Sequence, residues 1–172
     1  MVSSRPATAD DVPALSALAK RTWLDAFGHT VDPETAAVEL DTTRSEAFFR
    51  AALETRTTLV AEEDGRLVGY VQFGDVDIPE ADAGPGDREL HRVYVETAQQ
   101  GRGIGRRLVE EALRDPRLAE ARRIFLQVWE ENERAVRLYE SLGFHPVGTT
   151  AFTIGSGQVV EDVVMLLEVQ PQ

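Results

Sequence analysis

Residues Gln99–Leu108 read QQGRGIGRRL, three glycines and three arginines within ten residues of a chain whose formal charge is −12. The run RELHRVYV (88–95) precedes it and predicts a β-strand. Behind it, Ile104, Leu108, Ala112 and Leu113 recur at helical spacing until Asp115-Pro116. A glycine-rich turn from strand to helix exposes the unpaired N–H groups and partial positive charge of a helix start, which suits a phosphate or pyrophosphate. Arg102, Arg106 and Arg107 reverse the sign of the acidic chain at this point. The competing reading is a plain helix start with solvated arginines. Two phosphate motifs are excluded by residue identity. A Walker A loop needs Lys-Ser/Thr where Arg106-Arg107 stand, and a dinucleotide fingerprint counted from Gly101 needs glycine where Arg106 stands. The pattern that remains is Gln100-x-x-Gly103-x-Gly105.

Outward from this loop the chain predicts a mixed α/β order. Thr8 and Asp11 have capping-box spacing ahead of an amphipathic helix through Val12, Leu15, Leu18, Ala19, Trp23 and Phe27. HTVDPETAAVEL and RSEAFFRAAL predict further helical pieces, with Pro33 in a first turn. Two apolar runs meet at Asp64-Gly65, a hairpin signal, and DIPEADAGPGD (77–87) is a loop. RRIFLQVW predicts a strand. NERAVRLYESLGF predicts a helix with Asn132 as N-cap, an apolar set of Ala135, Leu138, Tyr139 and Leu142, and Gly143 as terminator. HPVGTTAFTIG and VVEDVVMLLEV predict two closing strands.

Composition narrows the function classes. A chain of 172 residues with 42% apolar content suits one domain, 1–172. With 30 acidic against 18 basic residues, nucleic acid and an anionic membrane surface are poor partners, whereas solubility or a cationic partner fits. The absence of cysteine excludes disulfides and thiolate sites, and three scattered histidines argue against a metal cluster. No signal-like N-terminus or membrane-length apolar run is present, which predicts a cytoplasmic protein.

Gln100-x-x-Gly103-x-Gly105 resembles the pyrophosphate loop of the GNAT superfamily of acyl-CoA N-acyltransferases. ELHRVYV resembles the family's central strand, and Asn132, Ala135, Tyr139, Gly143 and Phe144 match its second block, so Glu89–Gly148 with the hairpin makes about half the chain recognisable. The resemblance implies a single GNAT domain, a mixed and mostly antiparallel sheet flanked by helices. It implies acetyl-CoA as co-substrate, no metal, direct transfer to an amine, and a possible homodimer. It also implies cofactor contacts at Gln100, Gly101, Arg102, Gly103, Gly105, Arg106, Asn132, Ala135 and Tyr139. A bulged strand through Val93 and Val95 would pair with the pantetheine amides.

Acyl transfer from a thioester needs a deprotonated amine and an acid for the departing thiolate. Glu89 matches a position where some family members carry a glutamate base. His91, two residues on, faces the same way by strand alternation and is the second candidate. For both, a structural role is an equal alternative. Tyr139 lies seven residues after Asn132 on nearly the same helix face, and the resemblance implies that it protonates the thiolate; the alternative is a packed core tyrosine in the apolar stripe with Ala135 and Leu142. The acids Asp25, Asp32, Glu34, Glu39, Asp41, Glu80, Asp82 and Asp87, on the segments that bound the acceptor in the family, imply a cationic amine. RTWLDAFGH and FTIGSGQVVEDVVMLLEV are similar to bacterial polyamine acetyltransferases; a peptide amine, an amino acid or an amino-bearing antibiotic stays open. The rivals are a non-catalytic acyl-CoA sensor on the same fold and a nucleotide-binding protein.

Overall fold

The structure is a computed structural model and describes residues 1–154 and 158–169; the Gly155–Gly157 link of the closing hairpin lies outside them. Seven strands, β1 (Ser3–Pro6), β2 (Thr57–Glu63), β3 (Arg66–Gly74), β4 (Arg88–Val95), β5 (Arg123–Trp129), β6 (His145–Ile154) and β7 (Gln158–Glu168), take the order β1-β2-β3-β4-β5-β7-β6. β4 and β5 run parallel, while β1/β2, β5/β7 and β6/β7 are antiparallel. The helices are α1 (Val12–Phe27), α2 (Pro33–Thr43), α3 (Glu46–Thr55), α4 (Ile104–Arg114), α5 (Pro116–Ala119) and α6 (Glu133–Ser141). The mixed, mostly antiparallel α/β architecture is the one the sequence predicts. The chain divides into two compact units interleaved along the sequence, Met1–Gln72 with Arg92–Ala112 and Phe73–His91 with Leu113–Gln172.

In the first unit, α1 and α3 share an apolar cluster with β2 and β3: Val12, Leu15, Leu18 and Ala19 with Phe49, Val60, Leu67 and Tyr70. Their spacing on α1 is the stripe visible in the sequence. A 3₁₀ turn, Ala9–Asp11, precedes α1, and the Asp11 carboxylate accepts the Thr8 N–H at 2.8 Å and the Thr8 hydroxyl at 3.1 Å. Arg5 forks onto the same carboxylate and holds it well below the usual range. Asp32 caps α2 ahead of Pro33, and Ser45 caps α3. β2 and β3 turn on Asp64 (φ 52°) and Gly65 (φ 75°), both left-handed as the tight hairpin turn requires.

In the second unit, Phe125, Val164 and Leu166 of the sheet pack with Ile78 of the 77–87 loop. Two details depart from the expectation. The buried set on α4 is Ile104, Leu108, Val109 and Ala112, with Leu113 half-buried at its edge. Asp115-Pro116 ends α4 but also starts α5, because Asp115 accepts the Arg117 N–H at 3.0 Å and Pro116 fills a position that needs no donor.

Candidate functional site

The stretch between β4 and α4 is anchored before its glycines begin. Glu96, buried at the end of β4, receives Arg21 of α1 at 2.9 Å and Arg66 of β3 at 2.6 Å, and its N–H donates to the Val68 carbonyl at 2.9 Å. Thr97 donates to Asp25 at 2.8 Å. Gly101 (φ 86°) and Gly103 (φ 75°) then occupy left-handed backbone, with open space where a Cβ would stand. Glycine is demanded here by conformation, not by crowding. The α4 ladder begins with the Arg107 N–H on the Gly103 carbonyl at 3.0 Å, so the first-turn N–H groups at Ile104 and Gly105 precede the helix's own bonding.

The arginines of this loop are already paired. Arg102 forks onto Glu63 at 2.8 Å on both nitrogens and also meets Gln99; this bond raises the Arg102 pKa and lowers that of Glu63. Arg106 pairs with Glu110 at 2.9 Å, one helical turn on. Gln100 Nε2 lies 3.4 Å from the Val95 carbonyl. An anion at this helix start therefore meets backbone donors first, and must share Arg102 and Arg106 with carboxylates.

Within the second unit, β4 pairs with β5 at Arg88↔Ile124, Glu89↔Phe125 and Leu90↔Leu126. Glu89 is 6% exposed, and both its oxygens are engaged: Oε2 accepts the Asp77 N–H at 2.7 Å and Oε1 lies 3.1 Å from His91 Nδ1. The two side chains do share a face, as alternation requires. A proton on Nδ1, directed at Glu89, leaves Nε2 of the neutral ring as an acceptor. That nitrogen is buried without a hydrogen-bond partner among the described residues. The Asp77 contact comes from a 12-residue separation that no local motif signals.

Asn132 sits at the exposed start of α6, where its Oδ1 accepts the Ala135 N–H at 3.2 Å. The cap uses the oxygen, so the amide NH₂ is what Asn132 can offer a ligand. At the other end of α6, the Phe144 N–H donates to the Tyr139 carbonyl and the Gly143 N–H to the Glu140 carbonyl, each at 3.0 Å, with Gly143 at φ 95°. This is a Schellman closure, and its customary apolar contact is Tyr139 on Phe144, with centroids 5.8 Å apart and planes inclined 65°. Tyr139 is the buried residue of α6, while Ala135, Leu138 and Leu142 are half-buried. Val93 and Val95 are half-buried on β4.

Four of the eight acids expected at the acceptor have internal duties. Asp25 holds Thr97, Asp32 caps α2 and is shifted down chiefly by the Thr35 N–H, Glu39 pairs with Arg44 at 2.6 Å, and Asp87 binds Arg122 and Arg123. Among the described residues no metal-binding cluster of His, Cys, Asp and Glu occurs, and no helix is long and apolar enough to cross a membrane.

The fold agrees with known proteins that the chain resembles. The family model of the GNAT acetyltransferases matches residues 16–144, and the chain belongs to that family. An uncharacterised N-acetyltransferase of Mycobacterium tuberculosis is 33% identical over 162 residues, 92% of this chain and 97% of that protein. YncA of Salmonella typhimurium, a putative acetyltransferase solved with acetyl-CoA, superposes with a TM-score of 0.72 at 24% identity, over 100% of this chain and 96% of its own. The PaiA N-acetyltransferase of Thermoplasma acidophilum, solved with coenzyme A, superposes with a TM-score of 0.74 at 16% identity, over 98% and 99%. The reaction is N-acetyl transfer.

Proposed function

We propose that the protein transfers acetyl from acetyl-CoA to a primary amine by direct attack. The observation that carries this reading is the helix start after Gly103. Its left-handed glycines and first-turn N–H groups present a cradle that fits a pyrophosphate, and Gln100, Arg102 and Arg106 flank it. YncA and PaiA, solved with acetyl-CoA and coenzyme A, support the choice of ligand. Asn132 and Ala135 are assigned to the amide-bearing arm, and Val93 and Val95 to its pairing with β4.

The donor supplies a thioester; the residues supply proton handling. His91 Nε2 takes a proton from the ammonium directly or through one water, and Glu89 orients the ring through Nδ1. The amine nitrogen bonds to the carbonyl carbon, the C–S bond breaks, the Tyr139 hydroxyl gives its proton to the thiolate, and the second proton that the nitrogen sheds as the amide forms restores the Tyr139 hydroxyl. Glu89 thereby becomes the positioning partner of a histidine base, since both its oxygens are already engaged.

Acetyl-CoA is expected to raise the melting temperature in preference to ATP or NAD, and an amine panel of polyamines, amino acids and peptides to release free CoA. Binding without release from any amine would leave the sensor reading instead. His91→Gln is expected to lower kcat about 100-fold with the acetyl-CoA melting shift retained. Unchanged kcat would assign proton removal to water.

A further inference from the structure

Within the first unit, the end of the β2–β3 hairpin reaches the glycine turn twice. Arg66, just past the Asp64-Gly65 turn, holds Glu96 at 2.6 Å, and Glu63, just before it, takes Arg102. The second contact is a closed fork. Arg102 Nη1 donates to Glu63 Oε2 and Nη2 to Oε1, each at 2.8 Å, and Nη1 also meets Gln99 Oε1. Both carboxylate oxygens and both terminal nitrogens are thereby spent on each other. The neighbouring Glu62 takes no part, since Arg5 binds it at 2.9 Å.

As a staple this pair does little. The Arg102 side chain is 47% exposed, and ion pairs so open to water add little to stability. The turn is already secured by Glu96 with its two arginines and by Thr97 on Asp25. What the fork does determine is the charge that Arg102 can offer at the start of α4. A phosphate matches a guanidinium fork as well as a carboxylate does, so it must take Arg102 from Glu63. The displaced carboxylate then stays beside the anion. Arg106 differs, because its partner Glu110 lies one turn along the same helix, a pairing common on exposed helix faces. Glu63 comes from another element, 39 residues away, and its side chain is only 17% exposed.

We propose that Glu63 competes with the donor's phosphates for Arg102, and so holds the affinity for acetyl-CoA and for the CoA product below what the cradle would otherwise give. This rests on the acetyl-CoA reading and adds to it a residue that sets donor and product affinity. A weaker grip on CoA favours product release, a step that often limits turnover.

The test is isothermal titration of CoA and acetyl-CoA into wild type, Glu63→Gln, Arg102→Gln and the double variant. Glu63→Gln keeps the size of the side chain and drops its charge. It is expected to tighten both ligands about 10-fold, the scale of one charge-assisted hydrogen bond, whereas loss of a purely structural contact would leave affinity unchanged or weaken it. With Arg102 already replaced, the gain should largely disappear. Acetylpantetheine, which has no phosphate, is expected to stabilise wild type and Glu63→Gln equally in thermal shift at millimolar concentration. Dephospho-CoA separates two sources: a gain retained assigns Arg102 to the pyrophosphate, and a gain lost assigns it to the ribose 3′-phosphate. Melting without ligand reports that each variant is folded. Affinity for CoA unchanged or lower in folded Glu63→Gln, the same gain with and without Arg102, or the same gain with acetylpantetheine would overturn the competition and leave acetyl transfer standing. Tighter CoA binding in Glu63→Gln with CoA release from no amine would support the competition and overturn transfer. Wild type that binds neither CoA nor acetyl-CoA would overturn both. Should Glu63→Gln fail to fold, Glu63→Asp decides: its shorter arm cannot span the fork, and affinity no tighter than wild type would refute the competition.

Discussion

Tyr139→Phe is expected to lower kcat by about 10²- to 10³-fold, the range that a positioned general acid supplies, with little change in KM for acetyl-CoA. The substitution removes one hydroxyl and nothing from the packing. Phenylalanine keeps the ring that meets Phe144 at 5.8 Å, and the Schellman closure that fixes the ring is made by backbone atoms. The folded state should therefore change by no more than about 1 kcal/mol, the net value of a typical hydrogen bond. The signature of an acid role is dependence on the leaving group. With an aryl thioester, whose thiolate departs without help, the defect should shrink; with acetyl-CoA it should be full. Steady-state rates on both donors measure this. A turnover equal to wild type across pH would make Tyr139 a packing residue and leave protonation of the thiolate to water.

The helix that carries Tyr139 and the glycine turn into α4 are legible in the sequence for a physical reason: both are local. Asn132 caps the helix that Gly143 ends, and the glycines of the loop take the left-handed backbone that only glycine adopts easily. β4 coincides with RELHRVYV, and the hairpin turns at Asp64-Gly65. What was not legible is the set of side-chain pairings between segments far apart in the chain. Arg92 meets the Thr43 carbonyl across 49 residues, Arg102 meets Glu63 across 39, and Arg21 meets Glu96 across 75. Such pairs depend on strand register and helix placement, which periodicity does not specify. Net charge says nothing of such partners: of the eight acids that the sequence places near the acceptor, Asp25, Asp32, Glu39 and Asp87 are engaged with loops, caps and arginines.

Replacing Asp87 is expected to give the largest loss of stability, about 3 kcal/mol for Asp87→Ala by urea unfolding at pH 7, the lower end of the cost of breaking a buried ion pair. Its side chain is 0% exposed and carries the Gly84 N–H at 2.8 Å, Arg122 Nη2 at 2.8 Å and Arg123 Nη2 at 2.7 Å. The lower end applies because Arg122 and Arg123 are 58% and 23% exposed and solvent screens their share. Burial alone would raise this carboxyl; the hydrogen bonds from Arg123 and Arg122 outweigh it and hold the group well below the usual carboxylate range. The pH dependence follows from that direction. A folded pKa below the unfolded value of about 3.9 contributes stability that is complete above roughly pH 5. It is lost as pH falls through the folded value, so wild type and Asp87→Asn should differ fully at pH 7 and converge in acid. A constant difference down to pH 2 would mean that the ionised carboxylate is not what stabilises the loop. The same contact also bears on turnover. The Arg122 N–H donates to the Gly86 carbonyl at 2.8 Å, and Arg88 opens the parallel register with Ile124 one residue before Glu89. Loosening this staple frees the start of β4, so Asp87→Asn should lower kcat as well as stability, whereas Tyr139→Phe lowers kcat alone.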